Sequence, residues 1–161
     1  MAQEIERKFL LVNAQWRAQV SHSEAMRQGY MTSSPECSIR VRIAGAQAFL
    51  NFKSATLGIS RHEFEYSIPV SDAEEMLALF CENRCVGKVR HYVPLDGNVW
   101  EIDVFEGANA GLIVAEIELA ASDQDFTKPA WLGSEVSHDP RYYNSRLTDY
   151  PFARWGTVTP D

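Results

Sequence analysis

The sequence predicts a mainly β (α+β) protein: about eight antiparallel strands forming a barrel or a closed, strongly curved sheet, charged inside and apolar outside. Three observations predict it. Seven short stretches carry polar or charged residues two apart, the period that sends alternate strand side chains to opposite faces. They are Glu4-Ile5-Glu6-Arg7-Lys8, Arg40-Val41-Arg42, Asn51-Phe52-Lys53, Glu63-Phe64-Glu65, Lys88-Val89-Arg90, Glu101-Ile102-Asp103 and Glu116-Ile117-Glu118. The faces behind these charges are apolar, as in Ile39, Val41 and Ile43, or Trp100, Ile102 and Val104, or Ala115, Ile117 and Leu119. The links between neighbouring stretches are short, and short links imply antiparallel pairing.

In chain order, residues 3–11 read as the first strand, and Gly29-Tyr30-Met31 sits on another. Residues 37–44 and 47–54 follow, joined by a turn at Ala44-Gly45-Ala46, then 61–69. Ser71-Asp72-Ala73-Glu74 has the form of a capping box, and Met76, Leu77, Leu79 and Phe80 supply the apolar stripe of a helix ending near Gly87. Strands 86–94, 98–106 and 112–120 complete the set, with turns at Leu95-Asp96-Gly97-Asn98 and from Gly107 to Gly111. Residues 122–132 and 140–149 are further helix candidates, the second with Asp139 as N-cap and Pro140 at its first position. The tail after Pro151 reads as irregular.

A chain of 161 residues fits one domain, here 1–161, and can bury a sizeable core. Its net charge of −7 argues against nonspecific binding to nucleic acid or to an anionic membrane, so an anion must be held by a local cluster of bases. No apolar run has the length of a membrane span, and the first residues, MAQEIERK, lack a signal-peptide pattern, so a cytoplasmic location is expected. Cys37, Cys81 and Cys85 contain no Cys-x-x-Cys pair and have no His nearby in sequence to complete a metal site, so they read as free thiols.

One charged face is ordinarily the wet side of a sheet. Against that reading, these faces contain few Thr, Ser or Gln. Like charges repeat at i and i+2, a repulsion that a neighbouring strand or a ligand must offset. The opposite faces are apolar enough to need cover. A barrel with a charged lumen and an apolar outer wall under a few helices satisfies all three. Its bases, Arg40, Arg42, Lys53, Lys88 and Arg90, suit a triphosphate, and Glu4, Glu6, Glu116 and Glu118 are oxygen ligands suited to Mg²⁺ or Mn²⁺. Phosphoryl transfer needs mainly positioning and electrostatics. No P-loop, no G-x-G-x-x-G and no H-E-x-x-H is present, and Ser137-His138-Asp139 is a triad only in writing, since triad members meet in space. The four Trp are assigned to core or interface.

Glu4-x-Glu6-x-Lys8 near the N-terminus resembles the E-x-E-x-K signature of the CYTH domain, the triphosphate tunnel metalloenzyme family. The family's order continues with Gly29-Tyr30, Arg40 and Arg42, Lys53, Glu63 and Glu65, Lys88 and Arg90, Glu101 and Asp103, and Glu116 and Glu118. It ends in the segment from Glu135 to Asn144. The likeness covers roughly residues 2 to 149. It implies an eight-stranded antiparallel tunnel that binds a small-molecule triphosphate with a divalent metal. Glu4, Glu6, Glu116 and Glu118 would serve the metal. Lys8, Arg40, Arg42, Lys53, Lys88 and Arg90 would hold phosphates, with Arg141 as a lid or an exposed structural arginine. Tyr30 would bond a phosphate, tune Lys8 or simply be core. Lys8, Tyr30, Glu63 and Glu65 form the catalytic set. Glu63, Glu65, Glu101 and Asp103 bind a second metal, orient water or hold the bases, and the last role is preferred for Glu101 and Asp103. Inorganic tripolyphosphate is the first-choice substrate. Adenylyl cyclase, thiamine triphosphatase and a non-catalytic polyphosphate- or nucleotide-binding module are the alternatives, and a homodimer is left open.

Overall fold

The computed structural model describes residues 3–34, 36–54 and 59–156. Its strands are β1 (Gln3–Leu11), β2 (His22–Ser33), β3 (Cys37–Ala44), β4 (Gln47–Ser54), β5 (Ser60–Ile68), β6 (Cys85–Leu95), β7 (Asn98–Phe105), β8 (Ile113–Glu118) and β9 (Leu132–Glu135). All neighbouring pairs are antiparallel, in the order β5-β4-β3-β2-β6-β7-β8-β1, and β1 also pairs with β5. That second pairing turns an open sheet into an eight-stranded ring. The short β9 adds to β1 outside the ring.

The alternation of the strands decides which face is which. Val41 on β3, Trp100 and Ile102 on β7, and Ala115 and Ile117 on β8 are fully buried on the outer wall. Two covers lie over that wall, and a third closes one end of the ring. The helix α1 (Val70–Phe80) packs Ala73 and Leu77 on Val41 and Ala48. The 3₁₀ turn Gln15–Gln19 supplies Trp16, and residues near Trp131 close over Phe9 and Trp100. The third cover is the C-terminal segment, a 3₁₀ turn at Pro140–Tyr142 followed by α2 (Asn144–Asp149). It packs on Val86, Phe105 and Val114. These three share the inward parity of Lys88, Asp103 and Glu116, so this segment caps the lumen at the end where inward positions turn apolar.

Local chemistry explains the departures from the sequence reading. Asp96 (φ 48°) and Gly97 (φ 82°) form the two-residue primed turn that matches strand twist. β2 is twelve residues long, of which only Gly29-Tyr30-Met31 was legible, because its outward face mixes Ser23 and Arg27 with Ala25, Gly29 and Met31 and gives no clean alternation. The capping box does not form. The helix starts two residues early behind Pro69, Ser71 falls inside the first turn, and Glu74 pairs with Arg27 instead. Residues 122–132 are not helical: Pro129 interrupts them, and Gln124 Oε1 accepts from the Ala120 N–H, bending the chain locally. The 140–149 helix divides into the 3₁₀ turn and α2, with Asp139 capping the former by accepting from the Arg141 N–H. The tail beyond Pro151 contains another 3₁₀ turn, Phe152–Arg154, and a buried Trp155, and it runs partly outside the described residues. No helix among the described residues is long and apolar enough to cross a membrane.

Candidate functional site: a charged lumen

Inside the ring lies a cavity of about 290 Å³, and its wall brings together nearly every candidate site residue named from the sequence. Two stand apart. Asp103 lies just behind the wall, wholly buried, bonded to Lys88 and Arg90. Arg141 is on the outside, paired with Asp139 at 2.8 Å and set against the Trp155 ring. Ser137 bonds Glu135 and the Lys8 backbone, and Asp139 bonds Arg141, so Ser137-His138-Asp139 forms no relay.

Part of the wall is neutralised internally. Arg90 is clamped by Asp103 (2.8 Å), Glu116 (3.3 Å) and Glu101. Lys8 Nζ meets Glu116 at 3.3 Å and donates to the Tyr142 carbonyl. Lys53 lies between Glu4 (3.2 Å) and Glu63 (3.1 Å), and Arg61 approaches Glu4 at 3.8 Å. Burial raises the Glu4 pKa, but Lys53 and Arg61 outweigh it and bring it down to about 2. Burial likewise opposes the charge of Glu116, yet Lys8 and Arg90 hold its pKa well below the usual carboxylate range.

The remainder is uncompensated, and it is divided by sign. Among the described residues, Arg40 and Arg42 on β3 have no carboxylate partner. Arg40 Nε is buried with no hydrogen-bond acceptor, as is its cross-strand neighbour's atom Asn51 Oδ1 with no donor. Burial, with Arg40 and Arg90 alongside, lowers the Arg42 pKa to about 10. On the other wall, Glu6 of β1 lies directly opposite Glu118 of β8, a like-charge cross-strand pair. Neither is in an ion pair among the described residues. Burial, then Glu116 and Glu4, drives the Glu6 pKa well above its ordinary value. β3 and β8 are four strands apart either way round the ring, so the free bases face the free acids across the lumen.

These donors fit a hard divalent cation by chemistry: they are carboxylate oxygens, two of them crowded together and, among the described residues, outside any ion pair. Among the described residues, no three carboxylate, His or Cys side chains already converge to ligand geometry, and Glu4 and Glu116 are engaged by lysines, so binding would require side chains to swing.

Three polar members of the site fell outside the seven stretches. Arg61 shares the parity of Glu63 and Glu65, so one step further along the same alternation would have found it. Gln28 and Asn144 are neutral amides and gave no charge signal. Gln28 Nε2 donates to Tyr30 Oη at 3.2 Å, so the tyrosine hydroxyl meets an amide and not Lys8.

A closed antiparallel ring with opposed rows of bases and carboxylates defines the class: a β-tunnel with a charged lumen. The chain belongs to the CYTH domain family, whose model matches residues 2–143. It is 41% identical over 152 residues to an inorganic triphosphatase of Acetivibrio thermocellus, covering 94% of this chain and 97% of that one. A second inorganic triphosphatase, from Nitrosomonas europaea, is 40% identical over 148 residues, 89% and 95% of the two chains. Among solved structures, the inorganic triphosphatase NE1496 superposes with a TM-score of 0.66 at 37% identity, covering 92% of this chain and 95% of that one.

Proposed function

We propose that this protein is a divalent-metal-dependent inorganic triphosphatase that cleaves tripolyphosphate to pyrophosphate and phosphate, with the whole chain acting as one domain. The observation that carries the reading is the pair of unneutralised arginines, Arg40 and Arg42, facing the unneutralised Glu6 and Glu118 across the cavity. A site of one sign needs only a counter-ion. Opposed sites of both signs call for an anion and a cation together, as a triphosphate and its metal supply. The names of the two relatives support the same reaction.

Arg40 and Arg42 grip non-bridging oxygens from one side, and Lys53, Lys88 and Lys8 complete the cationic surround. Glu4, Glu6, Glu116 and Glu118 are the residues that would hold Mg²⁺ or Mn²⁺. When bound, the metal supplies charge neutralisation at the phosphates and lowers the pKa of water. Glu63 and Glu65 on β5 orient the attacking water and take its proton. The terminal phosphorus gains the water oxygen, its bridging P–O bond breaks, and pyrophosphate departs with the electron pair, its charge met by the lysines. Glu101 and Asp103 hold Arg90 and Lys88 in place. Tyr30 fixes the Gln28 amide.

Inorganic triphosphate is favoured over a nucleotide or thiamine ester by the aromatic residues. Tyr30 and Tyr143 alone among the described aromatics line the cavity, while Trp16, Trp100 and Trp131 are buried in the outer wall and Trp155 in the cap. The three free thiols fit a cytoplasmic setting.

The test is phosphate release from tripolyphosphate, ATP, thiamine triphosphate and pyrophosphate, with Mg²⁺, Mn²⁺ or EDTA. Tripolyphosphate should be cleaved only with metal, giving one phosphate and one pyrophosphate. Undiminished turnover in EDTA, or no release from tripolyphosphate, would overturn the proposal.

A further inference from the structure

Two neutral amides sit between the bases of the lumen. Lys88 Nζ, wholly buried, donates to Asp103 Oδ2 at 2.7 Å and to Asn144 Oδ1 at 3.0 Å. The same Asn144 oxygen accepts from Gln28 Nε2 at 3.0 Å, and Gln28 Oε1 accepts from Arg42 Nε at 3.0 Å. Gln28 has no exposed surface. The cations dictate the orientation of both amides. Lysine and arginine can only donate, so Asn144 must turn its oxygen to Lys88. Gln28 must then offer its NH₂ to that oxygen, which leaves its own oxygen for Arg42. The chain of bonds has one self-consistent direction, and it ties β3, β2, β6 and the C-terminal cap together.

Charge is the point of using amides here. A carboxylate at either position would make stronger bonds to the same cations. It would also neutralise them, as Asp103, Glu101 and Glu116 neutralise Arg90. The geometry points to the Gln28–Asn144 amide pair as a positioning device for the polyanion: it orients Arg42 through a neutral acceptor, so that the arginine's charge remains for the triphosphate, and it ties Arg42 to Lys88, already met by Asp103, without adding a second carboxylate there. This rests on the triphosphatase reading and makes Asn144, carried by the cap, a functional residue of the site.

Asn144→Asp tests it, because the substitution is isosteric and keeps both acceptor bonds while adding a charge. Tripolyphosphate binding, measured calorimetrically with the intact protein in Mg²⁺, should weaken at least about tenfold, the scale of one charge-assisted bond. The melting temperature of the ligand-free variant should equal or exceed that of the wild type, since Lys88, Arg90 and Arg42, which repel one another, gain a further counter-charge beside Asp103. Gln28→Glu, which places the charge on Arg42, should also weaken binding. A merely structural amide pair would move stability and binding in the same direction, or neither. Wild-type affinity in Asn144→Asp, or weaker binding with a lower melting temperature, would overturn the proposal. Should neither carboxylate variant fold, Asn144→Ala decides: it removes the acceptor from Lys88, and unchanged binding overturns the idea. If the wild-type protein itself binds no tripolyphosphate, the triphosphatase reading falls and this inference falls with it.

Discussion

Arg40 and Arg42 are a cost to the empty protein. Two cations on one strand face, without carboxylates, repel each other and Arg90. Arg40→Ala and Arg42→Ala should therefore leave the ligand-free melting temperature unchanged or raised, while the upward shift given by tripolyphosphate shrinks by mass action. Earlier unfolding with a full ligand shift would make these arginines structural. Glu6 carries the same conflict with opposite sign. Its raised pKa means that the folded state binds the proton more tightly than the unfolded one, so its contribution to stability is present at low pH and is lost as pH rises above the ordinary 4.5. Glu6→Gln should raise the metal-free melting temperature at pH 8 by a few degrees, on the scale of about 2–4 °C per kcal/mol, and abolish metal-dependent turnover. A lower melting temperature with wild-type turnover would refute both halves. Lys88 titrates at about 7, brought there by burial, then by Arg90 and Arg42 against the pull of Asp103. Its folded pKa lies below the usual 10.5, so the unfolded state holds the extra proton between about pH 7 and 10.5, and this group adds stability as pH rises through that window. Chemical denaturation across the window should show a smaller rise in Lys88→Met than in wild type. At this scale the charged residues were legible in the sequence because a strand writes its faces in alternate letters. Gln28 and Asn144 were not, since their role depends on which cations the ring brings beside them.

Elements meet the ring closely in two places. Gly29 on β2 lies beneath α1, where an added Cβ would fall 2.6 Å from Cys81 Cβ and 2.7 Å from a Leu77 methyl. The helix can approach this near only over a residue without a side chain. Gly29→Ala should cost about 1–3 kcal/mol, the range for overpacking, read as a lower denaturation midpoint. An unchanged midpoint would mean that α1 sits further out. The cap is anchored by Trp155, whose ring meets Tyr142 edge-on at 5.1 Å and Phe152 at 5.2 Å. Strand positions were readable to within a residue or two wherever both faces contrasted, as in β3, β4 and β7. β9 was unreadable because four residues including Gly133 carry no alternation. The direction of the cap was also hidden. Val86, Phe105 and Val114 continue the inward parity of the charged rows, so their apolar character signals an end to the lumen only once the strands are aligned.

For the whole molecule, closure is what converts a charged face into a site. The seam that closes it is short: Gln3, Glu4 and Ile5 of β1 pair with His62, Arg61 and Ser60 of β5 before β1 turns to β8. The sequence showed eight strands' worth of material and a face that needed enclosing, but it could not show which two strands meet, because that pairing joins segments more than fifty residues apart. Ordering so distant a contact is entropically late and locally weak. Amide protons at this junction should exchange with deuterium sooner than those of β3 or β7, and tripolyphosphate with metal should slow them most, since Glu4 and Arg61 stand on the two sides of the join. The barrel then behaves as a clasp: the ligand that fills it also fastens it, and the protein's lifetime against proteases in a cell would follow the supply of its own substrate.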